Sequence, residues 1–248
     1  MGIRHSTLSA SLVVGGLALA GCGHDYNYGY YSADPSGVYE GSLTDTVTQQ
    51  ATPVVGVIDE NGDGRMMAQN GIYYAMGVNT SGNNVFGPVL AFPGNGSTVS
   101  GSLNGQLLNQ GAVLNATITG TGADPLALVW NYDNVYTVPS SLPTLQGMWT
   151  YTSSSFTLNL SIGANGAFTG TDSNACTYSG NFSLVDPQFD AYTETFTQTC
   201  GSTGISFFGL SYFIPAASSS SATPAMINFL ADDDNGHFVS AEVQYTGP

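Results

Sequence analysis

The sequence predicts an all-β fold: two small antiparallel β-barrels or β-sandwiches in tandem, behind an N-terminal signal segment. Three observations carry the expectation. Apolar residues alternate with Ser, Thr and Asn at period two, as in Phe156, Leu158, Leu160 and Ile162. Asn-Gly dipeptides at Asn61, Asn70, Asn95, Asn104, Asn165 and Asn235 punctuate the runs, and such pairs supply the two positive-φ residues of a type I′ hairpin turn. The pattern also reads as two unequal copies along the chain, one larger barrel being the competing reading. No window of a dozen residues carries an i, i+3, i+4, i+7 stripe free of Gly or Pro, so little helix is expected.

Residues 1–21 read as a secretory signal. Arg4 and His5 precede an apolar run from Leu8 to Ala20, too short to span a bilayer and ending in small residues. Leu19-Ala20-Gly21-Cys22 resembles the lipobox of bacterial lipoproteins, which implies lipid on the Cys22 thiol, cleavage before it and acylation of the new amine. Several acyl chains, each buried CH₂ worth about 0.8 kcal/mol, hold a protein at a membrane where one chain alone does so only marginally. Gly23 after the cysteine, rather than Asp, implies forwarding to the outer membrane under the familiar enterobacterial rule. Residues 22–36 then form the lipidated end and a flexible Gly/Tyr/Ser/Asp tether, with Tyr26, Tyr28, Tyr30 and Tyr31 as spacer residues.

The first β domain is placed at 37–138 and the second at 147–248, with the proline-flanked segment 139–146 as the joint. Gly37-Val38-Tyr39 opens the first copy, followed by Val57-Ile58, the turn at Asn61-Gly62 and a strand through Tyr73-Tyr74. Gly147-Met148-Trp149 opens the second, followed by Leu160–Ile162, the turn at Asn165-Gly166 and a strand through Tyr178. Ile205–Ile214 is apolar at both parities, the mark of a strand covered on both faces or packed against the other half.

Charge excludes one class of partner. The chain holds 2 Lys+Arg against 17 Asp+Glu, and cleavage of the signal would leave Arg65 as its one basic residue. Without cations to replace condensed counterions, nucleic acid is repelled. The acids fall mostly in turn-like segments and the tether, where they are expected to serve solubility.

Cys176 and Cys200 share strand parity with the aromatic residues beside them, Tyr178 and Phe182 in one strand and Tyr192 and Phe196 in the other. That favours a structural disulfide in an oxidising compartment. Asp59, Asn61 and Asp63 match the opening of a calcium loop, but the twelfth position is Asn70 and no helix flanks it. An acidic hairpin turn is the better reading and weak calcium binding the alternative. The run from Asp232 to Gly236 is weighed in the same way. No cofactor is expected. His24 and His237 have no evident catalytic partner, and Glu194 and Glu242 read as ordinary strand residues. Tyr73, Tyr74, Trp130, Tyr132, Trp149, Phe207, Phe208, Tyr212 and Phe213 read mainly as core, with a ligand pocket as the rival.

Trp130-Asn131-Tyr132-Asp133, Pro139-Ser140-Ser141-Leu142, the Gly147 to Trp149 restart and Cys176-Thr177-Tyr178-Ser179-Gly180 with Cys200 together resemble a group of uncharacterised proteobacterial lipoproteins. The resemblance implies two β halves and a cysteine bridge, and implies no ligand. The expectation is therefore a non-enzymatic binding or structural module, lipid-anchored in the bacterial envelope, with an unknown envelope protein or small ligand as partner. A lipocalin-like carrier of an apolar ligand is the alternative, and a carboxylate-based hydrolase stands third.

Overall fold

The computed structural model describes residues 33–120, 124–216 and 224–248. The signal segment, Cys22 and the tether tyrosines lie outside the described residues. The chain forms two closed antiparallel β-barrels. The first comprises β1 (Gly37–Asp45), β2 (Ala51–Ile58), β3 (Asp63–Ala68), β4 (Tyr73–Gly77), β5 (Asn79–Ser81), β6 (Asn84–Phe92), β7 (Val99–Leu108), β8 (Val113–Gly120) and β9 (Leu126–Asp133). Each strand but β4 pairs with the next, β9 returns to β1, and β4 pairs with β6 to close the ring while β5 pairs with the other end of β6. The second comprises β10 (Gly147–Thr152), β11 (Thr157–Ile162), β12 (Ala167–Asp172), β13 (Thr177–Leu184), β14 (Tyr192–Cys200), β15 (Thr203–Ile214), β16 (Met226–Asp232) and β17 (Phe238–Gly247), closed by β17 on β10. No α-helix occurs among the described residues; short 3-10 turns at Asn134–Thr137 and Leu142–Leu145 make the joint.

Period two sets the inside and outside of each barrel. In β11, Leu158, Leu160 and Ile162 point into the core while Asn159 and Ser161 are exposed. In β8, Leu114, Ala116 and Ile118 point inward and Asn115, Thr117 and Thr119 outward. Outward hydroxyls and amides are the reverse of the apolar band on a lipid-facing barrel. Both halves contain one strand more than expected at the same place: β3 follows the Asn61-Gly62 turn and β12 the Asn165-Gly166 turn.

The type I′ expectation for the Asn-Gly turns is corrected. None of the six asparagines has positive φ, whereas Gly62, Gly71 and Gly166 do. In all three turns the glycine N–H bonds back to the carbonyl three residues earlier, and that same earlier residue donates to the carbonyl of the residue after the glycine. This is a type I turn followed by a left-handed glycine, a three-residue hairpin loop. Asn104-Gly105 is no turn at all, but lies within β7. A Cβ at Gly105 would sit 2.1 Å from the Asn115 carbonyl oxygen, so this glycine lets β7 and β8 coil tightly.

One end of each barrel is filled. In the first, Tyr39 stacks on Trp130 at 5.2 Å and meets Tyr132 edge-on at 5.8 Å. Ala33 closes over that end by donating to the Gly82 carbonyl. In the second, the Trp149 indole donates to the Leu145 carbonyl at 2.8 Å, and Phe168, Phe182, Phe196 and Phe229 fill the middle. The expected disulfide joins Cys176 to Cys200 across a separation of 24 residues. Closing a loop of that size stabilises the barrel by about 3–4 kcal/mol in the chain-entropy view.

The barrels meet on their outer walls. Val38, Val57, Tyr73 and Phe92 of the first pack with Leu210, Tyr212 and Leu230 of the second, with Tyr136 and Ala191 at the joint side. The double-parity apolar run of β15 thus has a use for each face: Phe207 enters its own barrel and Leu210 and Tyr212 enter this seam. Arg65 is buried at the seam. Its Nε lies 3.1 Å from Asp232 Oδ2, its Nη1 donates to Asp63 and to the Gly64 carbonyl, and its guanidinium carbon sits 5.6 Å above the Phe208 ring. Tyr73 donates to the same Asp232 oxygen at 3.0 Å. Asp232, read from sequence as part of a solvated acidic turn, is instead wholly buried at the end of β16.

Removing one partner of a buried ion pair strands the other, whereas an apolar pair of similar volume restores packing. Asp232→Ala or Arg65→Met alone should therefore lower unfolding free energy by about 3–5 kcal/mol. Arg65→Met combined with Asp232→Leu should regain most of it, and Asp63→Asn at the exposed end should cost under about 1 kcal/mol. Urea denaturation of the four variants measures all of this.

Candidate functional site

The filled ends leave the opposite ends open. At the mouth of the first barrel the walls are Leu43, Tyr74, Val89, Ala91, Ile118 and Leu126, around a cup of about 360 Å³. Its rim carries Asp45, half-buried, and Gln50, Asn70 and Asp124, all three exposed. These residues come from the last turn of β1, the loop before β2, the β3–β4 hairpin and the entry to β9. The mouth is where strand ends diverge and the inward positions hold small or aliphatic side chains. An eight-stranded barrel is just wide enough to be filled by side chains or to hold one small ligand, and this one does each at a different end.

A second cavity, about 290 Å³, opens beside the first, at the mouth of the second barrel. Tyr151, Phe156, Leu158 and Ala241 line it from the second barrel and Pro93, Gly94 and Asn95 from the rim of the first. Asn70 and Pro93 border both cavities. The rims touch where Gly236, at φ +110°, faces Gly96; a Cβ there would come within 2.6 Å of the Gly96 backbone. Only glycine fits both the dihedral and the approach.

Of the nine aromatic residues singled out in the sequence, Tyr74 alone borders a cavity. Trp130, Trp149, Phe207 and Phe213 pack in barrel cores, Tyr73 and Tyr212 in the seam, Tyr132 against both the first core and the seam, and Phe208 lies under Arg65. Tyr151, Phe156 and Phe238, which do line the second cavity, were not singled out. The available signal was their position, an aromatic residue within two places of a hairpin turn, where a strand faces a mouth. The Tyr74 hydroxyl is pushed up to about 12 by burial.

The calcium candidates resolve into a turn. Asp59 Oδ1 accepts the backbone N–H groups of Asn61 and Asp63 at 2.9 and 2.8 Å, and its Oδ2 accepts the Asn61 amide at 3.2 Å. Asp63 in turn bonds to Arg65. These oxygens are turned onto their own loop. Among the described residues no group of three or more His, Cys, Asp or Glu could hold a metal. In the second acidic turn His237 has a partner after all: its Nδ1 lies 2.6 Å from Asp233 Oδ2, while Asp233 Oδ1 secures the turn by accepting the Asn235 and His237 backbone N–H groups.

Glu194 is not an ordinary strand residue. It is fully buried inside the second barrel; Ser211 donates to its Oε2, and its Oε1 has no hydrogen-bond partner among the described residues. Burial pushes its carboxyl up to about 8. Asp190, which accepts the Phe213 N–H at 3.0 Å, is likewise raised to about 8 by burial. Asp232 rises to about 6 because burial outweighs the pull of Arg65. Neither Glu194 nor Asp190 lines a cavity. Glu242 is half-buried, and burial followed by the charge of Glu40 raises its carboxyl as well.

The fold and its cup define a class: a tandem pair of eight-stranded meander barrels, closed at the chain-entry ends and open at the others. No protein-family model, curated protein or solved structure matches the chain.

The raised acids give a pH dependence of definite sign. Their folded pKa values lie above the ordinary values near 4, so the folded chain holds more protons between about pH 4 and pH 8. Their stabilising share is complete below that window and is lost as pH rises through it. The melting temperature should fall from pH 5 to pH 9, and Glu194→Gln should flatten the fall and raise the midpoint at pH 9. Differential scanning calorimetry of both proteins across that range decides it; an unchanged slope in the variant would refute the assignment.

Proposed function

We propose that this protein is a lipid-anchored lipoprotein of the bacterial envelope, without enzymatic activity, whose first barrel carries a small apolar ligand. The observation that carries the reading is the cup of about 360 Å³ at the mouth of an otherwise filled barrel, walled by aliphatic side chains and Tyr74 and polar at its rim. Small-molecule sites have this build: a mostly apolar concavity of about 300–1,000 Å³ with few polar groups to orient the ligand. The polar outer walls suit a barrel that stands in water at the membrane rather than in it.

The chain enters the first barrel at the end opposite the cup. Residues 33–36 lead into β1 at the filled end, where the Tyr39 hydroxyl donates to the Pro35 carbonyl, and β1 runs from there to Asp45 at the rim. A tether from Cys22 would therefore hold the first barrel by its base with the mouth turned away from the bilayer.

N-phenyl-1-naphthylamine, an uncharged dye that brightens in apolar surroundings, should bind the full chain at one site and compete with long-chain alcohols. Ile118→Trp, which fills the cup, should weaken dye binding at least tenfold with far-ultraviolet circular dichroism unchanged. Dye binding that survives the substitution would overturn the carrier reading. The anchor has its own readout: radiolabelled palmitate should be incorporated in cells by the wild type and lost in Cys22→Ala, and labelling that persists in the variant would refute it.

A further inference from the structure

The rim of the cup is charged on one side of neutrality only. Asp45 and Asp124 border it, and the chain offers them no cation: it has no lysine, Arg4 stands in the signal segment, and the Arg65 side chain is 4% exposed and engaged by Asp63 and Asp232. Asp45 is fixed as an anion. Its Oδ1 accepts the Val47 and Thr48 N–H groups at 2.8 Å, which holds its carboxyl below the usual range. A side-chain hydrogen bond from Thr48 holds the same carboxylate, and Tyr74 stands in the wall below. An apolar tail in the cup would thus carry its head group up to two carboxylates, amides from Gln50 and Asn70, and a phenol, with no group to balance a negative charge.

We propose that the cup selects amphiphiles with a cationic head group over those with an anionic one, Asp45 and Asp124 being the residues that set the preference. The inference rests on the carrier reading of the same cup and names the chemistry it would accept. An ammonium group gains attraction from both carboxylates at the water-exposed rim, where the attraction is moderate and screened by salt. A carboxylate or phosphate head placed there is repelled by the same two groups and loses water without a compensating partner.

The test compares three amphiphiles of one tail length, dodecyltrimethylammonium, dodecanol and dodecanoate. Each competes with N-phenyl-1-naphthylamine on the full chain at low salt and below its micelle concentration. The ammonium should displace the dye at a concentration at least tenfold lower than dodecanoate, with dodecanol between them. The gap should narrow at higher salt. Taken relative to dodecanol, it should also shrink in the Asp45→Asn/Asp124→Asn variant, which retains an acceptor for the Val47 and Thr48 amides. Equal potency of dodecanoate and the ammonium, or a gap that persists in the variant, would overturn the inference and leave the carrier reading standing. If dodecanol fails to displace the dye, the carrier reading falls and takes the selectivity with it.

Discussion

The arrangement of the molecule depends on one buried ion pair, Arg65 with Asp232. Arg65 lies in the middle of β3 on the outer wall of the first barrel, and Asp232 ends β16 on the outer wall of the second. The apolar seam around them, with Val38, Val57, Leu210 and Leu230, supplies most of the adhesion, but burial of such surface is non-directional. A guanidinium and a carboxylate that must meet allow one register. Tyr73 strengthens the choice by donating to the same carboxylate while its ring stacks on Phe238 at 5.2 Å. With that register set, the β16–β17 turn reaches the rim loop of the first barrel, Gly236 meets Gly96, and the two mouths come to lie side by side. The pair is better understood as a positioning device than as glue, because burying both charges offsets much of their attraction.

Within each barrel, stability and space are divided along the axis. Large aromatic side chains gather where the chain enters: Tyr39, Trp130 and Tyr132 in the first barrel, Trp149 with Leu145 in the second. An aromatic residue buries more surface than any aliphatic one, so the filled ends hold the barrels shut. Toward the first mouth the inward positions become Leu43, Val89, Ala91 and Ile118, too small to meet across the lumen. The second mouth is occupied further by a polar network in which Tyr178 donates to Asp172 at 2.8 Å and accepts from Gln198 at 2.7 Å, beside the disulfide. That difference leaves the first mouth the emptier of the two.

The features legible in the sequence were those with local causes. Period two in β8, β11 and β13 reports which face is wet, and strand parity placed Cys176 with Tyr178 and Phe182 on the inner face. The turns were found but mistyped, since Asn-Gly serves equally well in a type I turn followed by a left-handed glycine, and the choice rests on whether the asparagine itself adopts positive φ. Nothing local marked Arg65 or Asp232. Asp232 stands in a run of three aspartates that resembles any solvated turn, and its burial is imposed by a barrel wall more than a hundred residues away in sequence. Glu194 alternates among threonines as an outward residue would, yet it shares parity with Tyr192 and Phe196 and so points inward. Parity carried that signal, while side-chain polarity argued against it. The cup was illegible because it is made of missing volume at aligned strand ends, a property of barrel stagger rather than of any one strand.

The acidic excess serves two purposes that compete. On the turns and rims, carboxylates such as Asp45 keep copies of the protein apart and set the sign of the field at the mouth. Inside, Glu194, Asp190 and Asp232 are held where ionisation is costly, and only Asp232 has a cation against it. A chain with one arginine in its described residues cannot neutralise both sets. It places that arginine at the seam, where an unpaired Asp232 would do most harm to the fold, and leaves the rim unbalanced. The unbalanced rim and the single-cation seam are thus two consequences of the same scarcity: a second cation near the cup would neutralise the first without repairing the second, whereas loss of Arg65 would leave the rim field almost unchanged and take away the register that brings the two mouths together.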